Sequence, residues 1–192
     1  MDAVSRRLMK ELKDYQTTGA DGIVALAPAS DHDLLIWKAT IQGQADSPYE
    51  GGIFHLLIEI PKLYPIQPPK VQFLTTVCHP NVHLKTGEIC LDLLKSAWSP
   101  AWTLSSACVA IRVLLLHPEP DSPLNCDAAN LLRCSDERGY LSLVRMYTQF
   151  RVFASEIDNT EPHFLDRSTT LKRNVQLYLS ASRTTIIRQK FQ

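Results

Sequence analysis

The sequence lacks the features that mark a nucleic-acid-binding protein or a membrane protein. Its 20 lysine and arginine residues are balanced by 20 aspartate and glutamate residues, so the formal net charge is zero. That balance gives no reason to expect nucleic acid as a partner. No stretch approaches the roughly 18 consecutive apolar residues that a membrane-spanning helix needs. Residues 1–15 also lack the apolar core of a secretory signal peptide.

The cysteines do not follow the pattern of a disulfide framework. There are five of them, an odd number without regular spacing. This usage fits a reducing compartment better than a secreted scaffold, so we expect a cytoplasmic protein. The length of 192 residues, with 45% of them hydrophobic, is typical of one soluble domain with a real core and a short appendage.

Hydrophobic periodicity predicts an α+β fold. Apolar residues at positions 4, 8, 12 and 15 recur at helical spacing, which indicates an amphipathic N-terminal helix. Four strand-like segments follow at residues 23–27, 34–41, 53–60 and 70–74. Their short, turn-rich links favour an antiparallel meander. Further helices, predicted to pack on this sheet, are expected at residues 104–117, 126–134 and 137–150, the first of them capped by Thr103 and buried on nearly every side.

Two segments lie outside this regular pattern. PKLYPIQPP (61–69) holds four prolines in nine residues and must be a rigid surface loop, in which Tyr64–Pro65 is a candidate cis bond. From residue 151 the periodicity weakens, so we divide the chain into a core at 1–150 and a C-terminal tail at 151–192. The tail is interpreted as loosely ordered or partly helical, with a basic amphipathic segment on a membrane surface as the alternative.

A lone cysteine in HPNVHLKTGEICLDLL (79–94) raises the functional question. Cys90 ends a polar, turn-rich loop and stands directly before an apolar run. Cys78, His79, His83 and Cys90 are potential zinc ligands, although their spacing lacks the usual pairs. A cysteine hydrolase would need one of the histidines as a base. A small buried structural residue is the third interpretation, and composition alone leaves all three open.

Six motifs in order point to a fourth interpretation. They are PYEGGIF (48–54), YPIQPPKV (64–71), HPN (79–81), GEICLDLL (87–94), WSPAWTL (98–104) and PDSPLN (120–125). Through Phe150 the chain resembles the ubiquitin-conjugating enzymes, and the resemblance implies their fold. It departs from the pattern at two places: the interval from His79 to Cys90 is one residue longer than in many members, and Cys78 stands where an aromatic residue is common.

The resemblance implies a ubiquitin transferase. An activating enzyme uses ATP upstream and passes ubiquitin to Cys90 as a thioester, so the chain itself would hold neither cofactor nor metal. Asn81 would donate to the developing oxyanion or brace the loop, while His79 and Pro80 would be structural. Ser122, together with Asp121, would lie beside the path of the acceptor. The corresponding partner surfaces are Arg6, Arg7 and Lys10 for the activating enzyme, and Ile66, Pro100 and Ala101 for a RING-type ligase.

Finer resemblance points to the fungal peroxisomal branch of this family. LLIWKATIQGQADSPYE and DSPLNCDAANLLRCSDERGY carry it. It implies recruitment to the cytosolic face of the peroxisomal membrane by a membrane-anchored peroxin, and monoubiquitination of the import receptor with a RING ligase. Two alternatives stay open. One is a general cytosolic member that builds lysine-linked chains, and the other is a non-catalytic adaptor, a class that lacks the active cysteine.

Overall fold

A computed structural model describes residues 2–30 and 32–157, and the side chains as far as residue 149. The elements in chain order are α1 (Ala3–Thr18), β1 (Ile23–Ser30), β2 (Asp33–Gln42), β3 (Ile53–Glu59), β4 (Lys70–Phe73), a 3-10 turn (Asp92–Leu94), α2 (Leu104–Leu114), α3 (Cys126–Arg133) and α4 (Glu137–Ile157). The expected α+β order of one helix, four strands and then helices is confirmed.

The four strands form one antiparallel sheet in the order β1-β2-β3-β4. Its register places Trp37 opposite Ile58, and Ile58 opposite Val71. Because side chains alternate between the two faces of a strand, this register collects the large apolar residues on one side. The buried face consists of Trp37, Ala39, Ile41, Phe54, Leu56, Ile58, Val71 and Phe73. The predicted meander is confirmed, and its apolar face forms one side of the hydrophobic core.

The first strand is longer than its sequence indicates. It continues past residue 27 to Ser30, which pairs with Asp33 across a tight turn. Its last residues are small or proline, so they carry no apolar alternation to read. Pro28 is tolerated because β1 lies at the edge of the sheet, where one row of N–H groups needs no partner.

Two of the helices, α1 and α2, pack against this sheet. α1 is capped by Asp2, whose carboxylate accepts from the Ser5 N–H at 2.7 Å. α2 lies against β1 and β2, and its N-terminus has the expected Thr103 cap, which forms a capping box with Ser106. α3 and α4 pack on each other.

The prediction that α2 is buried on nearly every side is wrong. The helix ends at Leu114 rather than at residue 117 and buries one side only, while Val113 on the other side is 46% exposed. Apolar composition alone does not reveal which side of a helix faces solvent. The open side borders the groove described below.

The end of the core is less sharp than the sequence suggests. α4 runs through residue 150 to Ile157, across the expected boundary. The remainder of the predicted tail, residues 158–192, lies outside the described part of the chain, so the division at 150 stays a prediction. Within the described ranges, no helix is both long enough and apolar enough to cross a bilayer.

Candidate active site

The backbone that leads to Cys90 is anchored to the sheet. The loop pairs with itself through Val82 and Ile89, and the N–H of Cys90 donates to the Asn81 carbonyl at 2.8 Å. It also pairs with β4, where the N–H of Phe73 donates to the Gly87 carbonyl at 2.8 Å. These bonds hold the cysteine backbone in place although the loop is polar and rich in turns.

This anchoring depends on a glycine. Gly87 has φ +74°, a conformation that residues with a Cβ rarely adopt. A Cβ built there would lie 1.9 Å from the carbonyl oxygen of Phe73. Only glycine therefore lets the loop lie so close to β4.

The sulfur of Cys90 is partly exposed, in contrast to its backbone. Its Sγ lies 3.7 Å from the Ser122 hydroxyl and 3.7 Å from Nζ of Lys95, which donates to it. Asp121, Ser122 and Cys90 all line one surface groove. The sequence analysis missed Lys95. The only sequence feature that could have indicated it is its position directly after the 3-10 turn, because such a turn directs the chain back toward residue 90.

Asn81 is buried, with 1% of its surface exposed, and its amide is fully engaged. Nδ2 donates to the carbonyls of Glu119 at 2.8 Å and Ser122 at 3.1 Å. Oδ1 accepts from the Glu119 N–H at 2.8 Å. Of the two roles expected for Asn81, this geometry matches the loop brace, because neither amide hydrogen is left for an oxyanion.

His79 and Pro80 hold the neighbouring backbone. Nδ1 of His79 accepts from the Asn81 N–H at 3.0 Å, and Nε2 has no hydrogen-bond partner within the described residues. Burial lowers the pKa of His79 to about 4, with a weaker opposing effect of the Leu114 backbone, so the ring is neutral at physiological pH. The carbonyl of Pro80 accepts from the N–H groups of Leu124 at 2.8 Å and Asn125 at 3.0 Å.

The interpretations of Cys90 that rest on histidine gain no support from this arrangement. Nδ1 of His83 accepts from the Thr86 N–H at 3.1 Å, and Nδ1 of His79 is occupied as described. Burial raises the pKa of Cys78 to about 12, so it is a neutral thiol at physiological pH. Among residues 2–30 and 32–157, no group of three or more histidine, cysteine, aspartate or glutamate side chains is placed to hold a metal ion.

A groove of about 1240 Å³ extends from Cys90 along the open side of α2. It is broad and shallow rather than enclosed, so it suits a polypeptide better than a small molecule. Its lining includes Leu91, Trp102, Ser105, Val109, Val113 and His117.

The basic residues of α1 do not form one uniform face. Arg6 and Lys10 are exposed, as expected of a surface for the activating enzyme. Arg7 instead turns inward. Its Nε lies 2.5 Å from the Glu11 carboxylate, and its NH2 group donates to the carbonyls of Pro100 at 3.1 Å and Trp102 at 2.9 Å.

The two predicted ligase-binding loops lie side by side. Ile66 is 74% exposed, and Pro100 and Ala101 are exposed as well. The loops are joined by a bond from the Trp98 indole N–H to the Pro65 carbonyl at 2.8 Å, next to the cis peptide between Tyr64 and Pro65. The structure thus brings together residues that are more than 30 positions apart in sequence.

Comparison with known proteins agrees with this fold. Residues 7–148 match the family model described as ubiquitin-conjugating enzyme. Among similar proteins, peroxin-4 of Arabidopsis thaliana is 55% identical over 150 residues, which are 78% of this chain and 95% of that protein. The Dictyostelium discoideum protein named ubiquitin-conjugating enzyme E2 pex4 is 53% identical over 146 residues, which are 76% of this chain and 97% of that protein.

A solved structure is similar as well. Pex4p of H. polymorpha, a ubiquitin-conjugating enzyme crystallised with the soluble domain of Pex22p, has a TM-score of 0.72 and 43% identity, covering 77% of this chain and 97% of that one. Fold, motif order and family match agree. The chain therefore belongs to the ubiquitin-conjugating enzyme family and is a ubiquitin transferase.

Proposed function

We propose that Cys90 carries ubiquitin as a thioester and delivers it to a peroxisomal import receptor. The observation that supports this most strongly is the contrast at Cys90, whose backbone is hydrogen bonded to Asn81 while its sulfur opens onto the groove. A carrier cysteine needs both properties, because the sulfur must accept and release a large acyl group from a constant position.

The reaction follows from the chemistry of the thiolate. The Cys90 thiolate attacks the carbonyl carbon of ubiquitin's C-terminal glycine, which the activating enzyme presents as a thioester made with ATP. A new C–S bond forms and the thiol of the activating enzyme leaves. In the second step an acceptor attacks the same carbon, and the Cys90 thiolate is the leaving group. No bound cofactor or metal takes part in either step.

The surroundings of Cys90 favour a cysteine acceptor. The group 3.7 Å from the sulfur on the acceptor side is the hydroxyl of Ser122, not a carboxylate. A lysine acceptor has an unperturbed pKa near 10.4 and needs help to lose its proton, whereas a thiol near 8.5 needs less. In this proposal Asp121, the neighbour of Ser122 in the sequence, is the carboxylate that compensates. Asn81 acts by holding the carbonyl of Ser122 in place.

Two exposed surfaces are proposed to bind the other components of the pathway. The activating enzyme docks on the face of α1 that carries Arg6 and Lys10, with Arg7 at its inner edge. A RING-type ligase docks on Ile66, Pro100 and Ala101, because exposed apolar side chains on two anchored loops suit a small hot spot.

The peroxisomal assignment draws on the relatives. Two proteins named peroxin-4 and pex4 are 55% and 53% identical to this chain, and the similar Pex4p was crystallised with the soluble domain of Pex22p. We infer recruitment to the cytosolic face of the peroxisomal membrane by a membrane-anchored peroxin, followed by monoubiquitination of the import receptor on a cysteine with a RING ligase.

Charging and product analysis test the proposal. The protein is mixed with activating enzyme, ATP and ubiquitin, and an adduct that thiol reductants cleave is expected with wild type and with C126S, which alters another exposed cysteine, but not with C90A. With ligase and receptor present, the receptor conjugate should also be cleaved by reductant. A reductant-resistant, lysine-linked chain would instead identify a general chain-building member of the family, and absence of charging would contradict the transferase role of Cys90.

A further inference from the structure

Glu11 is a buried carboxylate that neither the transfer reaction nor the basic face of α1 uses. It is 7% exposed and lies on the core side of α1, between the apolar positions Leu8 and Leu12. A carboxylate in such a place is costly unless donors surround it. The partners that surround Glu11 therefore indicate why it is there.

Three chain segments donate to this one side chain. Oε1 accepts from Nε of Arg7 at 2.5 Å and from the hydroxyl of Tyr64 at 2.7 Å, and Oε2 accepts from the N–H of Leu104 at 2.8 Å. Leu104 is the first residue of α2, so its N–H has no partner within the helix. The negative charge also lies favourably at this helix N-terminus.

Two of the donors, Tyr64 and Leu104, belong to segments next to a proposed ligase contact, whereas Arg7 belongs to α1. Tyr64 stands two residues before Ile66 in the proline loop. Arg7 extends the network to the loop at 100–102 through the carbonyls of Pro100 and Trp102. Both loops are thus tied to the same carboxylate.

We propose that Glu11 is a positioning residue for ligase docking, because it fixes the spacing between the loop that carries Ile66 and the loop that carries Pro100 and Ala101. The inference rests on the proposed docking of a RING ligase at these residues. A hot spot shared by two loops binds well only if the loops are already ordered, since ordering them on binding lowers the affinity. Glu11 supplies that order from beneath the surface without touching the ligase.

The protonation states agree with this network. Burial, and then the charge and hydrogen bond of Glu11, raise the pKa of Tyr64, so its hydroxyl remains a donor over the physiological range. Burial alone would lower the pKa of Arg7, but the hydrogen bond and charge of Glu11, together with weaker effects of Tyr64, outweigh burial and raise the pKa.

The test separates ligase docking from general stability. Tyr64→Phe removes one donor to Glu11 and keeps the ring, while Tyr15→Phe removes a comparable hydroxyl bond, to the Ile23 carbonyl at 3.2 Å, away from both loops. The measurements are the Kd for a RING domain that stimulates wild-type discharge, charging by the activating enzyme without ligase, and the Tm. Glu11→Gln is measured in parallel as the stronger change.

We expect Tyr64→Phe to weaken RING binding about tenfold while charging stays within about twofold of wild type. Glu11→Gln should weaken RING binding further and shift the amide NMR signals of both Ile66 and Ala101. Tyr15→Phe should leave RING affinity unchanged even if it lowers the Tm equally. Equal RING affinity in wild type and Tyr64→Phe, or a parallel loss of affinity in Tyr15→Phe, would overturn the inference. If no RING domain stimulates wild type although Cys90 charges, the proposed ligase docking is itself wrong, and the inference is overturned with it.

Discussion

The amide of Asn81 and the backbone of Ser122 form one unit, because Nδ2 of Asn81 donates to the Ser122 carbonyl at 3.1 Å and to the Glu119 carbonyl at 2.8 Å. The hydroxyl of the same Ser122 lies 3.7 Å from the sulfur of Cys90. In the proposed transfer reaction, the asparagine therefore influences the Cys90 sulfur through the segment on its acceptor side. This relationship leads to the first two predictions.

Asn81→Ala should lower both stability and transfer rate. The substitution leaves two carbonyls and the Glu119 N–H without their partner, so we expect a loss of about 1–3 kcal/mol in the free energy of unfolding. Urea denaturation and single-turnover discharge of the Cys90 thioester measure the two effects. Asn130→Ala, at an exposed asparagine, is the control. A slower discharge with unchanged stability would instead identify Asn81 as an oxyanion donor.

Ser122→Asp should shift the acceptor preference toward lysine. A carboxylate at this position is able to take the proton of an incoming amine, and general-base help of this kind raises the lysine rate by up to about 10²-fold. Discharge of the charged enzyme to free lysine and to free cysteine gives the ratio, with Ser122→Ala as the control. Asp121→Asn tests compensation by the neighbouring carboxylate. A wild-type enzyme that already prefers lysine strongly would contradict the proposed cysteine specificity.

Gly87→Ala should cost far more than Gly51→Ala. The two glycines have nearly equal φ angles, +74° and +76°, but a Cβ at Gly51 meets nothing within 4 Å while one at Gly87 meets the Phe73 carbonyl at 1.9 Å. Gly51→Ala should therefore lose only the backbone contribution of about 1–2 kcal/mol. Gly87→Ala should lose that and a further penalty of about 1–3 kcal/mol for overpacking, and should charge poorly. Equal losses in denaturation experiments would show that the loop relaxes away from β4.

Stability should fall as the pH falls below about 6.5, in part because of His79. Burial lowers its folded-state pKa to about 4, whereas in the unfolded chain it takes up a proton near 6.5. The unfolded state therefore binds more protons between these values, and the contribution is present at neutral pH and lost as the pH falls toward 4. We expect a loss of about 2 kcal/mol between pH 7 and pH 5 from this residue.

Denaturant unfolding of wild type and His79→Gln across this pH range measures the effect. The variant should be less stable at pH 7 and should show a smaller slope between pH 7 and pH 5. His32→Gln, the same substitution at an exposed histidine, is the matched control. An identical slope in wild type and His79→Gln would contradict the prediction.

The sheet, the first helix and the family were predictable from the sequence alone. Alternation in residues 34–41 and 53–60 indicates which side chains face the core, because a strand has a period of two residues and needs no distant information. The capping of α2 by Thr103 depends on residues three positions apart, so it too was readable. The extent of α2 and its exposed side at Val113 were not, because they depend on what packs against the helix.

The contacts of the polar side chains in the site were visible only in the folded structure. The amide of Asn81 meets Glu119, 38 residues away, and Glu11 meets Leu104, 93 residues away. Arg7 was predicted as part of an exposed basic face, yet it donates to carbonyls beyond position 99. A charged or amide side chain can hydrogen bond to many different donors and acceptors. Which of them it contacts depends on the distant backbone groups that the folded chain brings within about 3 Å of it. Sequence periodicity does not identify such distant partners, whereas the alternation of apolar residues along a strand indicates directly which side chains are buried.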